Sequence, residues 1–145
     1  MKRICCAFAL TTVLAGCSGL NQPTATVTSA PKRELTVAEK ISFAPVLSSG
    51  LKDPSAAQFK WMPVILTERD GVTDYCGLVN GKNSYGGYTG FVRFYAHLTK
   101  NEKGQFVKAE LRAVEPPNRE ANFIDPRWLN GICEQYGYDD FSLAK

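Results

Sequence analysis

Hydrophobic and polar positions recur along this chain in two periods, and the change from one to the other marks its elements. Val37, Ile41, Ala44 and Leu47 or Leu51 recur at helical spacing, behind Thr36 and Glu39 in the order of a capping box. This predicts a helix over about 37–50, with Pro45 as a kink or an early stop. Asp53 and Pro54 suit an N-cap and a first helical position, so a short helical turn follows and returns Phe59 to the core. Period two then takes over, and 61–68, 72–80, 91–99 and 105–114 read as strands fenced by turn residues, Asp70-Gly71 being the strongest hairpin signal. Val92, Phe94, Ala96 and Leu98 share a core side with Val107, Ala109, Leu111 and Ala113. Phe91, Arg93, Tyr95 and His97 lie opposite, with Phe106, Lys108, Glu110 and Arg112. Asp125 and Pro126 open a last helix to about residue 136, with Leu129, Ile132, Cys133 and Tyr136 along one stripe. The expected fold is α+β: a four-stranded antiparallel meander with N- and C-terminal helices packed on one face.

The first 34 residues follow neither period. Lys2 and Arg3 precede an apolar run of about eleven residues from Ile4, short of the roughly twenty that a spanning helix needs. The run ends in Leu14-Ala15-Gly16-Cys17, which resembles the lipobox of bacterial lipoproteins. The resemblance implies a cut between Gly16 and Cys17, a diacylglyceryl group on the Cys17 thiol and an acylated new amine. Ser18, where an aspartate would favour retention at the inner membrane, points to the periplasmic face of the outer membrane. Two or three acyl chains on one cysteine make a lasting anchor, because buried methylenes add about 0.8 kcal/mol each. Residues 18–33 are mostly Ser, Thr, Ala, Pro, Gln, Asn and Gly, which reads as a tether reaching roughly 20–25 Å. The expected organisation is a signal peptide at 1–16, a lipidated tether at 17–34 and one globular domain at 35–145.

Charge and cysteines narrow the function classes. The formal net charge of +3 includes Lys2 and Arg3, so the processed chain is near neutral and carries no electrostatic footprint for nucleic acid. Of five cysteines, Cys5 and Cys6 leave with the leader and Cys17 takes lipid, so Cys76 and Cys133 remain. In an oxidising periplasm the simplest reading is a disulfide closing a loop of about 57 residues; two buried thiols or a metal pair are the alternatives. The metal reading is poor because His97 is the sole histidine and no second cysteine pair exists. No cofactor motif appears: Gly81-Lys82 lacks a glycine five residues earlier, where Cys76 stands.

Two surfaces stand out as candidate sites. The 80–90 loop holds four glycines, Asn83, Tyr85 and Tyr88, a composition that offers tight turns, flat rings and hydrogen-bond donors to a sugar or a partner's loop. The sheet side with Phe91, Arg93 and Tyr95 mixes rings with cations, as interface cores do. The plainer reading of the loop is a long hairpin whose tyrosines fold back on the sheet, and that of the sheet side is a helix packed across part of it or long side chains shielding isolated rings. His97 stands without a Gly-x-Ser-x-Gly elbow, and Glu110, Glu115, Glu120 and Asp125 are the carboxylates available to a hydrolase. Lys52-Asp53-Pro54-Ser55-Ala56 with Phe59, then Cys76-Gly77-Leu78-Val79-Asn80, Lys82-Asn83-Ser84 and Gly86-Gly87-Tyr88-Thr89-Gly90, resemble a pattern in small uncharacterised bacterial and phage-associated envelope proteins. That resemblance implies that the turn, the second strand and the loop act as a unit. The expected function is a non-enzymatic, lipid-anchored binding or assembly protein of the envelope that contacts a protein partner or peptidoglycan. A peptidoglycan hydrolase, or an inhibitor of a wall-degrading enzyme, is the alternative.

Overall fold

A computed structural model of the chain describes residues 30–115 and 126–145. The leader, Cys17, most of the expected tether, Glu120 and the Asp125 cap lie outside the described residues. The elements in order are β1 (Lys32–Arg33), α1 (Val37–Leu47), a 3₁₀ turn (Pro54–Ala56), β2 (Gln58–Lys60), β3 (Val64–Ile65), β4 (Val72–Asn80), β5 (Val92–Lys100), β6 (Phe106–Val114), α2 (Pro126–Gln135) and a 3₁₀ turn (Phe141–Leu143). The fold is α+β, with an antiparallel four-stranded sheet in the order β2-β4-β5-β6 and a two-stranded sheet of β1 and β3.

The plain four-strand meander needs correction at its first strand. Residues 61–68 do not run as one strand: the rung beside β4 comes from Gln58–Lys60, and Val64–Ile65 pairs instead with Lys32–Arg33. Pro63 explains the break, since it offers no N–H to a ladder. Lys32 and Arg33, placed by the sequence in the tether, are thereby part of the domain. Where β2 stops, two tyrosine hydroxyls take over the work of the ladder. Tyr75 donates to the Met62 carbonyl and accepts from the Met62 N–H, both at 3.0 Å. Tyr138 accepts from the Ile65 N–H at 3.1 Å and donates to the Asp74 carbonyl at 3.3 Å. Burial holds both phenols well above their ordinary pKa, so they stay protonated donors. The C-terminus closes the same edge, the Trp61 and Lys145 backbones exchanging bonds of 2.7 and 3.0 Å.

Register decides what each side of the sheet carries. Tyr75 opposes Ala96, Gly77 opposes Phe94 and Thr73 opposes Leu98 on one side, while Asp74 opposes His97, Cys76 opposes Tyr95 and Leu78 opposes Arg93 on the other. Gly77 is required by its partner: a Cβ there would sit 2.7 Å from the Phe94 ring. Along β6 the pairing shifts twice, leaving Arg112 and Val107 as extra residues without a partner on β5. Each such bulge reverses the parity of the positions around it. Phe106 is therefore buried and Val107 exposed, and Ala113 joins the Tyr95 side, against the strict alternation read from sequence.

The register also separates the helices. α2 is bonded through Cys133 to Cys76, with an S–S distance of 2.03 Å, and Tyr136, the residue after its end, stacks on Tyr95. It therefore belongs to the Tyr95 side. α1 lies along β6, and Arg33, which holds Glu39, sits 4.6 Å over the Phe106 ring, whose register position is on the side of Phe94, Ala96 and Leu98. The expectation that both helices share one face is corrected accordingly.

α1 begins where the sequence places it: Thr36 Oγ1 accepts from the Glu39 N–H and Glu39 returns the bond to the Thr36 N–H, completing the box. The helix stops at Leu47, with Pro45 inside it. It is rotated, however, relative to the predicted stripe. Glu39, Phe43 and Leu47 are buried, whereas Val37 and Ile41 face outward. Burying Glu39 is possible because the Arg33 guanidinium binds both its oxygens, at 2.6 and 2.8 Å.

Candidate functional site

The loop joining β4 to β5 is braced by internal hydrogen bonds, and one side chain makes two of them. Asn83 Oδ1 accepts from the N–H groups of Tyr85 at 2.9 Å and Gly87 at 3.0 Å, which is how an Asx side chain organises a turn. Around it the Asn83 N–H donates to the Gly87 carbonyl, Lys82 bridges to Tyr88, and Gly86 supplies the positive φ of 83°. The base is pinned as well: the Gly90 N–H donates to Asn80 Oδ1 at 3.0 Å and the Thr89 N–H to the Gly81 carbonyl at 3.2 Å. Tyr88 donates its hydroxyl to the Ala56 carbonyl at 3.0 Å, and Lys52 Nζ bonds Ser84 Oγ. The turn after α1 and this loop are thus one assembly. Phe59 is not part of it; it stacks on Trp61 at 4.7 Å and meets Phe94 edge-on, within the core.

Between turn and loop lies a groove of about 600 Å³. Leu51, Val92 and Val114 give it an apolar floor, and Lys52, Lys82 and Glu115 stand along it. Tyr85 forms its rim with 96% of its surface exposed. A groove of this size with an apolar floor, two ammonium groups and a free ring can take a sugar or acylated amino sugar, the ring offering a stacking surface and the ammoniums a site for a carboxylate.

The structure divides the candidate residues. Tyr85 presents its ring to solvent, Asn83 spends its side chain on the turn, and Tyr88 and Phe91 are half-exposed beneath Lys82 and Lys60 at 5.5 and 4.8 Å. Arg93 and Tyr95 are not on an open face, which corrects that expectation. α2 and the turn after it cover them. Arg93 bonds Asn130 and lies over the Phe141 ring at 5.0 Å, and Tyr95 is buried. Of the four carboxylates, Glu110 pairs with Arg112 in solvent and Glu115 accepts from the Arg93 N–H at the groove.

Tyr95 belongs to a cluster that sequence reasoning missed. Its hydroxyl donates to Asp74 Oδ1 at 2.5 Å and lies 2.9 Å from His97 Nε2, while Arg69 reaches Asp74 Oδ2 at 3.3 Å and donates to the Tyr136 hydroxyl at 2.6 Å. Burial and the Asp74 carboxylate both push the Tyr95 phenol far above its ordinary range, so it serves as a neutral donor. Parity with Cys76 on β4 was the available signal for Asp74. Beside the cluster a cleft of about 640 Å³ opens against Arg69, Asp74 and Tyr136. The carboxylate accepts from Tyr95 and Arg69, and with Cys76 bonded to Cys133 the arrangement ties α2 and the residues after it to the sheet. Among the described residues no group of three or more His, Cys, Asp or Glu side chains could hold a metal ion. No protein-family model, curated protein or solved structure matches the chain.

Proposed function

We propose that this protein is a lipid-anchored binding protein of the cell envelope, acylated at Cys17, held at the periplasmic face of the outer membrane and contacting peptidoglycan through the groove of the β4–β5 loop. It acts as an accessory or assembly component and not as an enzyme. The observation that carries the binding reading is Tyr85, a large ring left 96% exposed on a loop that Asn83 braces. An aromatic ring is a large, rigid contact surface, and ordering a loop before its ligand arrives lowers the entropy lost on binding. The groove's apolar floor and ammoniums suit an acetylated sugar bearing a carboxylate, which favours peptidoglycan over a protein loop.

Photo-crosslinking in intact cells from position 85, with position 134 as control, tests this. Capture of glycan at 85 alone supports the reading, capture of one protein replaces peptidoglycan with that partner, and capture of nothing at 85 removes the binding role. Among the described residues, Glu115 at the groove is the carboxylate that gives the hydrolase reading a foothold. If purified protein cleaves wall material and Glu115→Gln abolishes the cleavage with folding intact, the non-enzymatic reading is wrong.

A further inference from the structure

The outer side of α1 is apolar where a surface helix is normally polar. Val37 and Ile41 are 74% and 70% exposed and Val46 42%, and Ala38 and Pro45 are exposed between them. Ser42 is the single polar residue among these outward positions. The one acid of the helix, Glu39, is turned inward and neutralised by Arg33, and the one base, Lys40, flanks the stripe half-buried. An ordinary amphipathic helix would bury Val37 and Ile41, and this one buries the opposite side. Nothing within the described residues covers the stripe.

We propose that this face of α1 docks on the lipid bilayer that holds the acyl chains of Cys17; the contact rests on the lipid anchor proposed above. Two observations select the bilayer over a protein. Val37 lies about twenty residues after Cys17, and twenty residues span at most about 70 Å even fully extended, so the helix never leaves the neighbourhood of the membrane. A patch of a few side chains is too small to hold a free protein on a membrane, but tethering makes the second contact intramolecular, and a weak one then suffices. The charge arrangement agrees: α1 directs no carboxylate outward, so nothing on it repels anionic head groups, and Lys40 stands beside the stripe to meet them. The contact is reversible, so the groove beyond the C-terminal end of α1 is held close to the bilayer until the domain lifts on its tether.

The full lipidated chain in vesicles of phosphatidylethanolamine and phosphatidylglycerol with brominated acyl chains tests this. An environment-sensitive fluorophore is placed at Ile41→Cys, or at Glu134→Cys on α2 as control. Both positions are exposed, so labelling spares the core. The expected result is quenching several-fold stronger at 41 than at 134, reduced to the control level by adding Val37→Glu. Equal, weak quenching at both positions on protein that floats with the vesicles overturns the docking and leaves the anchor standing. Protection at 41 without quenching, together with crosslinking to a second copy or another protein, overturns it in favour of that occupant. Protein whose intact mass shows no lipid and which fails to float removes the anchor, and the docking with it.

Discussion

Glu39 Oε1 accepts the Phe106 N–H at 3.0 Å, so the carboxylate that closes the cap of α1 also takes the first backbone donor of β6. With Arg33 on both oxygens, one side chain joins β1, α1 and β6. Burial alone would raise its pKa, but the bonds from Arg33, Thr36 and Phe106 outweigh burial and hold the carboxyl at about 2. The sign follows: a carboxyl depressed in the folded state stabilises above its unfolded value of 4.5, and that contribution is lost as pH falls towards 2. Denaturant unfolding across pH 7 to 2 should therefore show stability falling most steeply below about pH 4.5. Glu39→Gln should lower stability at pH 7 by on the order of 2–3 kcal/mol and flatten that acid limb.

The Asp74 cluster makes a separate prediction, located in α2. Asp74→Asn removes the charge that the buried Tyr95 hydroxyl and the exposed Arg69 guanidinium both bind, leaving the Tyr95 donor poorly matched. The expected loss is about 1.5–3 kcal/mol, with faster hydrogen exchange across 126–138. Tyr95→Phe keeps the Arg69 bond and should cost less, about 1–2 kcal/mol. Equal exchange in α2 in both variants and the parent would show that the cluster does not hold the helix.

Cys76–Cys133 closes a loop of 57 residues between β4 and α2. In the chain-entropy model this constraint is worth about 4 kcal/mol. The double substitution Cys76→Ala, Cys133→Ala should lower the unfolding free energy by about that amount. Exchange should rise first in α2, because α2 is the element the bond secures.

Much of this architecture was legible because local chemistry encodes it. Thr36 and Glu39 announce the cap, Pro54 the short turn, and Asp70-Gly71 the tight turn that the backbone makes with φ of 52° and 79°. What failed to read out depends on partners distant in sequence. Hydropathy turns Glu39 outward, and only Arg33 and the Phe106 amide make it a core residue. Period two cannot register a bulge, so Phe106, Val107 and Ala113 were assigned to the wrong sides. Tyr85 was legible as an exposed ring in a turn-rich loop, while Asn83 read as a contact residue and proved to be the brace.

The central claim is that a braced ring at the end of β4 binds the wall, and co-sedimentation of purified protein with isolated peptidoglycan sacculi tests it most directly. Tyr85→Ala should weaken retention roughly 10- to 100-fold with the melting temperature unchanged, as loss of an aromatic anchor does. Asn83→Ala should weaken it while raising hydrogen exchange in residues 82–90. Undiminished retention of folded Tyr85→Ala, or no retention of the parent protein, would contradict the account.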